Sequence, residues 1–259
     1  MKPLPPDSKP KDSTGDCSCA GIGRSVLSGA WRFMLVSIGG FAVWAFGGKW
    51  FYKHGGEAGL YAVSAVTFIA LAGLLMNPLV RGPAFDKASD SAMATSDGTA
   101  GRPWRLARFY GVFMPAFLAY AIVWCGFWFW LRFGIGEWLG SLAGSVVFVA
   151  VTGLRLGSFR QFLAVSALFF ATHSLGYFAG GKLMYFLPSP EGAKWLSALT
   201  KSQIGALAKL SWGVSYGVGF GAGLGFAFHM FQKPGSAANQ NGSCEDRSPT
   251  EASELGKIG

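Results

Sequence analysis

Six long apolar stretches dominate this sequence and restrict the folds that are open to it. They occupy residues 33–52, 59–80, 109–131, 136–155, 162–185 and 208–231. A helix needs about 20 mostly apolar residues to cross the roughly 30 Å hydrocarbon core of a bilayer, so each stretch is long enough. Hydrophobic residues make up 51% of the chain and charged residues 14%, which would leave a soluble domain without a polar surface. The sequence therefore predicts an all-α, polytopic integral membrane protein with six transmembrane helices and short outer loops.

Lysine and arginine are distributed unequally between the two sides of these stretches. Of the 22 such residues, 15 lie in the N-terminal segment, the second and fourth connections and the C-terminal tail, and seven lie in the other three connections. Because cytoplasmic loops are enriched in Lys and Arg, we expect both termini on the cytoplasmic side. The polar, proline-rich residues 1–22 do not resemble a cleavable signal peptide. We therefore expect a bacterial cytoplasmic (inner) membrane as the location.

Polar segments divide the chain into one membrane domain and three flanking regions. Residues 1–24 are predicted to form a disordered cytoplasmic head, and residues 233–259 a disordered cytoplasmic tail. Residues 82–103, which are rich in Gly, Ser and Asp, are predicted to form a flexible cytoplasmic loop. The six-helix transmembrane domain is therefore expected between residues 25 and 232.

Prolines indicate where individual helices begin, bend or end. Pro115 lies inside the third stretch and removes one backbone donor, so we expect a kink there. Pro78 is expected to bend or end the second helix. Ser189 followed by Pro190 is typical of a helix start, and Trp195 gives the next residues an apolar side. We expect a short helix on the outer surface between the fifth and sixth spans.

A weak repeat relates the three pairs of apolar stretches. Each odd-numbered stretch is preceded by an arginine close to a phenylalanine, in the pairs Arg32 and Phe33, Arg108 and Phe109, and Arg160 and Phe162. Two explanations are open. The pairs reflect a threefold repeat of helical hairpins, or they arise by coincidence because positive charge is enriched on the cytoplasmic side.

Acidic residues are absent from the interior of every predicted span. All seven Asp lie on the predicted cytoplasmic side, and all six Glu lie in turns, at span ends or in the tail. Carboxylate proton relays, intramembrane aspartyl proteases and most carboxylate metal sites need an ionisable oxygen within the membrane, so these classes are disfavoured. His54, His173 and His229 are expected at depths roughly 15 Å apart, which disfavours a shared haem or metal. We predict no catalytic residue, no cofactor and no metal site.

One ionisable side chain, His173, falls near the middle of a predicted span. A polar residue at that depth must face other helices or water. Tyr120 and Cys125 in the third stretch are the candidate partners, and we predict an intramembrane polar site at His173 and Tyr120. The imidazole is then either a neutral group held by a neighbouring helix or a group that handles a substrate or a proton.

Glycines recur every four residues along the sixth stretch, at Gly213, Gly217, Gly221 and Gly225. Residues four apart form a ridge on a helix, so this helix presents a nearly bare backbone to which another helix can pack closely. The ridge favours tight packing within one protomer. Association with a second copy or another membrane protein, or a mobile pore-lining helix, are the alternatives.

Two functional hypotheses follow from these features. The first is a small-solute or ion transporter, or a channel-like protein, that uses the interior around His173 and the glycine-rich last helix as a path. The second is a noncatalytic scaffold or accessory subunit that assembles through its glycine faces as a homo-oligomer or with a membrane protein partner. Because Lys and Arg flank apolar stretches instead of clustering on a soluble face, the expected partner is the lipid bilayer and not nucleic acid.

Overall fold

The computed structural model describes residues 16–80, 101–132 and 134–232, and this part of the chain is helical without any strand. The helices are α1 (Asp16–Ala42), α2 (Gly48–Met76), α3 (Gly101–Leu131), α4 (Ile135–Leu156), α5 (Phe162–Phe186), α6 (Pro190–Trp195) and α7 (Lys201–Gln232). The predicted tail, residues 1–15 of the predicted head and residues 82–100 of the predicted loop lie outside the described residues.

Six helical segments of the described chain are long and apolar enough to cross a membrane, which confirms the predicted fold class. They are Gly21–Gly56, Ala58–Leu79, Trp104–Leu131, Ile135–Leu156, Phe162–Phe186 and Lys201–Gln232. Several extend beyond the apolar stretches that predict them. The chain is therefore an all-α, polytopic membrane protein.

The start of α1 differs from the prediction, because residues 16–24 are helical and not part of an unstructured head. The extension has a physical reason in the packing of the residues that follow. Gly29 and Ser25 lie against the backbone of Gly221 and Gly225 near the end of α7. This contact lies outside the first apolar stretch, so hydropathy alone does not reveal it.

The first hairpin turns at Gly56, where φ is 62° and ψ is −162°. This conformation is readily adopted only by glycine, because a Cβ would clash with the backbone. Before the turn, a π-helical segment (Val43–Gly47) joins α1 to α2 without breaking the helical rod. The part of α2 that follows Gly56 ends in a 3₁₀ turn (Asn77–Leu79), as Pro78 predicts. Pro115 lies inside α3 without ending it.

The helices alternate in direction, so the bundle has two distinct ends. One end, which we call the α6 end, contains Gly56, the turn between α3 and α4, and α6. As predicted, α6 begins after Ser189, whose Oγ accepts a hydrogen bond from the amide of Gly192 at 3.2 Å. The opposite end contains the start of α1 and the end of α7, where Ser25 Oγ and His229 Nδ1 are 3.2 Å apart.

Helix α7 lies at the centre of the bundle. In the most apolar 18-residue segment of α7, 67% of the residues are buried, whereas the corresponding segments of the other five spans are 22–44% buried. It packs along its length against α1 on one side and α5 on the other, while α3 and α4 form a second closely packed pair. Phe220 of α7 lies in the core among Phe33, Phe148 and Phe169, which come from α1, α4 and α5.

Glycines bring α7 into backbone contact with both neighbours. A Cβ built on Gly217 would lie 2.6 Å from Cα of Met34 in α1, and one on Gly221 would overlap the carbonyl oxygen of Gly29. On the adjoining face, Gly219 lies against the backbone of Thr172 and Gly176 in α5. Both glycine faces of α7 are therefore covered within the protomer.

Candidate intramembrane polar site

His173 lies on α5 with 0% of its surface exposed. The hydroxyl of Tyr120 in α3 is 2.8 Å from its Nε2, so the structure brings the two residues of the predicted polar site together. With the phenol as donor, Nε2 accepts and Nδ1 holds the imidazole proton. Cys125, the other candidate partner, is exposed on α3. The site therefore joins α3 to α5 through one hydrogen bond between neutral groups.

Aromatic rings enclose the imidazole. Five ring centroids lie 5.4–6.4 Å from that of His173, and they belong to Tyr120, Phe169, Tyr177, Tyr216 and Phe220. Three helices supply these rings. Tyr120 belongs to α3, Phe169 and Tyr177 belong to α5, and Tyr216 and Phe220 belong to α7. Three of the rings are tyrosines, so the enclosure contains hydroxyl groups as well as apolar surface.

Tyr177 extends the polar site toward the α6 end. Its hydroxyl donates to Glu137 Oε1 at 3.2 Å, and its ring packs edgewise against Trp124 and Trp212, with centroid distances of 5.7 and 5.4 Å. Glu137 lies in the first turn of α4, where the positive end of the helix dipole stabilises a carboxylate. Polar groups therefore continue from the buried imidazole to a carboxylate at the helix start.

The second imidazole nitrogen of His173 has a different environment from the first. Nδ1 is buried and makes no hydrogen bond with any residue that the structure describes. A buried nitrogen without a partner is unfavourable, because it has lost its bonds to water. It therefore offers one hydrogen-bonding position to a small molecule that enters the bundle.

The four ridge glycines of α7 lie away from this site. Gly213 packs against the ring of Phe41, and Gly217, Gly221 and Gly225 against the backbone of α1. These residues fix the position of α7 and do not touch the imidazole. Across the described ranges, no three His, Cys, Asp or Glu side chains come together in a group that could hold a metal ion.

Sequence reasoning did not identify Tyr177, Tyr216 or Glu137 as members of the site. Tyr177 follows His173 by four residues, and this spacing on one helix face is the signal that could have identified it. Tyr216 and Glu137 offer no comparable signal, because their helices are distant from His173 in sequence. Comparison of the chain with protein-family models, with curated proteins and with solved structures gives no match.

Proposed function

We propose that this protein transports a small solute or ion across the membrane through the interior of the helical bundle, past His173. The observation that most supports the proposal is the environment of this imidazole. Nε2 is fixed by Tyr120, while Nδ1 has no partner in the described chain. Ionisable residues within a membrane are costly, and many of them mark substrate or ion pathways.

The contacts around Tyr177 support the same function. They give the polar site a connection to the α6 end, because Tyr177 bonds to Glu137 in the first turn of α4. A solute that passes the imidazole would therefore meet hydrogen-bonding groups before it reaches the aqueous phase.

The scaffold hypothesis has less support. It relied on glycine faces that are free to dock a partner helix, and those of α7 are covered by α1 and α5. A scaffold would have to use another surface of the bundle. We therefore favour transport over assembly.

We further propose that the protein resides in a bacterial inner membrane with both termini in the cytoplasm. The support is the excess of Lys and Arg on the side of the termini. Single cysteines placed at the turn near Gly56 and in the C-terminal tail, in a background with its four native cysteines changed to serine, test the orientation in intact cells. Labelling of the tail by a membrane-impermeant reagent would contradict it.

The transport function can be tested with purified protein in liposomes. Fluxes of Na⁺, K⁺, Cl⁻ and small uncharged solutes are compared between wild type, His173→Ala and the control His54→Ala, which alters an exposed histidine at the α6 end. We expect one of these solutes to cross faster than in empty liposomes, and the rate to fall at least tenfold in His173→Ala alone. Absence of any flux, or wild-type rates in His173→Ala, would overturn the proposal.

A further inference from the structure

Helix α4 has a stripe of hydroxyl residues on the face that enters the bundle. Ser141, Ser145, Phe148 and Thr152 follow each other at intervals of four, three and four residues, so they share one face. The two serines and the threonine are all 0% exposed. None of the three hydroxyls has a hydrogen-bond partner among the described residues. Thr67, in contrast, bonds to the carbonyl of Val63 in its own helix at 2.8 Å, which is the usual solution for such a residue.

Helix α5 has a matching stripe. Ser166, Phe169, His173 and Tyr177 lie at intervals of three, four and four residues, with Ser174 beside them. The hydroxyls of Ser166 and Ser174 are buried and, like Nδ1 of His173, have no partner in the described part of the chain. Each helix therefore contributes several unsatisfied polar atoms.

The two stripes face each other in a fixed register. Phe148 and Phe169 stack with centroids 4.8 Å apart, which places these residues at one level of the antiparallel pair. At a rise of about 1.5 Å per residue, Ser145 and His173 lie roughly 5 Å from that level toward the α6 end. Thr152 and Ser166 lie about as far in the opposite direction. Polar groups of the two helices therefore lie at matching levels on both sides of the phenylalanine pair.

These residues form a polar seam between α4 and α5, which we define as Ser141, Ser145, Thr152, Ser166, His173 and Ser174. From Ser141 to Thr152 the seam covers about 16 Å of helix rise, about half of the roughly 30 Å hydrocarbon core. Nearly all buried polar groups in proteins have a hydrogen-bond partner, so six without one on two adjacent helices call for a common explanation. Water or a solute that enters the interface provides it.

The same interface is open on its outer surface. A groove of about 420 Å³ lies between α4 and α5 and is lined by Trp138, Phe170, Ser174, Phe178 and Lys182, among others. Ser174 thus belongs to both the groove and the seam. The groove lies beside the seam in the half of the bundle nearest the α6 end.

We infer that the seam is the path of the transported solute and that the solute is a small uncharged molecule with hydrogen-bonding groups, such as water, urea or a short polyol. This inference rests on the proposed transport function. The seam offers hydroxyls and an imidazole, and it contains neither a ring of charged side chains nor a ring of backbone carbonyls of the kind that selects ions in channels. An uncharged molecule exchanges bonds to water for bonds to these hydroxyls.

The phenylalanine pair closes the path at one level. Phe148 and Phe169 separate the hydroxyls on the two sides, and Phe220 of α7 packs on them at 5.4 and 5.0 Å. A hydrophobic constriction of this kind blocks a path by excluding water. Passage therefore requires that these rings move apart. The width of the opening between them limits the size of the solute that can pass.

Stopped-flow measurements on liposomes containing the full chain test the solute class. Water, urea and glycerol fluxes are measured beside Na⁺, K⁺ and Cl⁻ fluxes, for wild type, for Ser145→Val with Thr152→Val, and for the matched control Thr67→Val. We expect uncharged solutes to cross and ions not to cross. We expect the double variant to be about fivefold slower or more, since each lost hydrogen bond weakens solute binding severalfold, and Thr67→Val to match wild type.

The constriction is tested by Phe148→Ala, with the exposed Phe129→Ala as control. We expect faster glycerol flux in Phe148→Ala, together with entry of the larger polyol erythritol, and no change in the control. Ion flux without any flux of uncharged solutes would overturn this inference and leave the transport function standing. Absence of all flux would overturn both.

Cysteine labelling provides a second measurement that does not depend on flux. In a background with its native cysteines changed to serine, Ser145→Cys and Thr152→Cys should react with a small methanethiosulfonate reagent. Val149→Cys, at an equally buried but apolar position, should not react. Failure of both seam cysteines to react in the folded protein would show a dry interface and overturn the inference.

Discussion

Substitution of Gly217 by alanine should destabilise the bundle, because it places a methyl group where α7 touches α1. The new Cβ would lie 2.6 Å from Cα of Met34, 2.7 Å from Cβ of Ser37 and 3.0 Å from the carbonyl oxygen of Phe33. Carbon atoms pack at about 3.5–4.0 Å, so the α1 backbone must retreat by about 1 Å. Two of these contacts are to backbone atoms, which cannot rotate away.

The size of the effect follows from two opposing contributions. Overpacking of a close contact costs about 1–3 kcal/mol, and here it acts on backbone. Alanine favours a helix over glycine by about 1 kcal/mol. Gly205 in the same helix offers a control, since a Cβ there would have nothing within 4 Å. We therefore expect Gly205→Ala to be neutral or stabilising by up to about 1 kcal/mol, and Gly217→Ala to be about 1–3 kcal/mol less stable than Gly205→Ala.

Reversible unfolding in mixed micelles with increasing denaturing detergent gives both free energies of unfolding. The two variants differ by the same methyl group in the same helix, so changes in helix propensity cancel to first order. Equal stability of Gly217→Ala and Gly205→Ala would refute the packing of α7 on α1. Stabilisation by Gly217→Ala would refute it more strongly.

Three further predictions concern single residues. Gly56→Ala should lower the free energy of unfolding by about 1–2 kcal/mol in the same micelle assay, because its positive φ is costly for any residue with a Cβ. Ser189→Ala should lower it by about 1 kcal/mol by removing the cap of α6, and hydrogen exchange should show faster exchange at the amide of Gly192. Tyr120→Phe should cost about 1–3 kcal/mol by leaving Nε2 of His173 without its hydrogen-bond partner, and the imidazole ¹⁵N chemical shifts should change; unchanged shifts would contradict the hydrogen bond.

The sequence predicts the six spans well because the length of an apolar run is a local property. The start of α5 agrees to the residue, since predicted and observed spans both begin at residue 162, and α4 agrees within one residue at each end. Helix α1 begins before the first apolar run, and Gly29, which precedes that run, packs on α7. Hydropathy measures solvent preference and does not register such a contact.

The candidate site was only partly predictable. His173 was recognisable because an ionisable residue in an apolar run is rare, and Tyr120 was a natural candidate as a polar residue in the third span. The contact of Tyr177 with Glu137 and the facing serines of α4 and α5 depend on how the helices rotate against each other. In a membrane both the lipid-facing and the protein-facing sides of a helix are apolar, so the sequence pattern does not fix that rotation.

The position of the polar seam follows from how the helices group. Glycines join α7 closely to α1 and α5, and α3 packs closely on α4, whereas α4 and α5 contact each other less extensively. The bundle therefore consists of two closely packed groups, and the most extensive backbone contact between them is that of α4 with α5. Interfaces held by fewer contacts open at lower free-energy cost than closely packed ones. Separation of the two groups would part Phe148 from Phe169 and Phe220 and break the Tyr120–His173 hydrogen bond, while it would leave the glycine contacts of α7 with α1 and α5 intact.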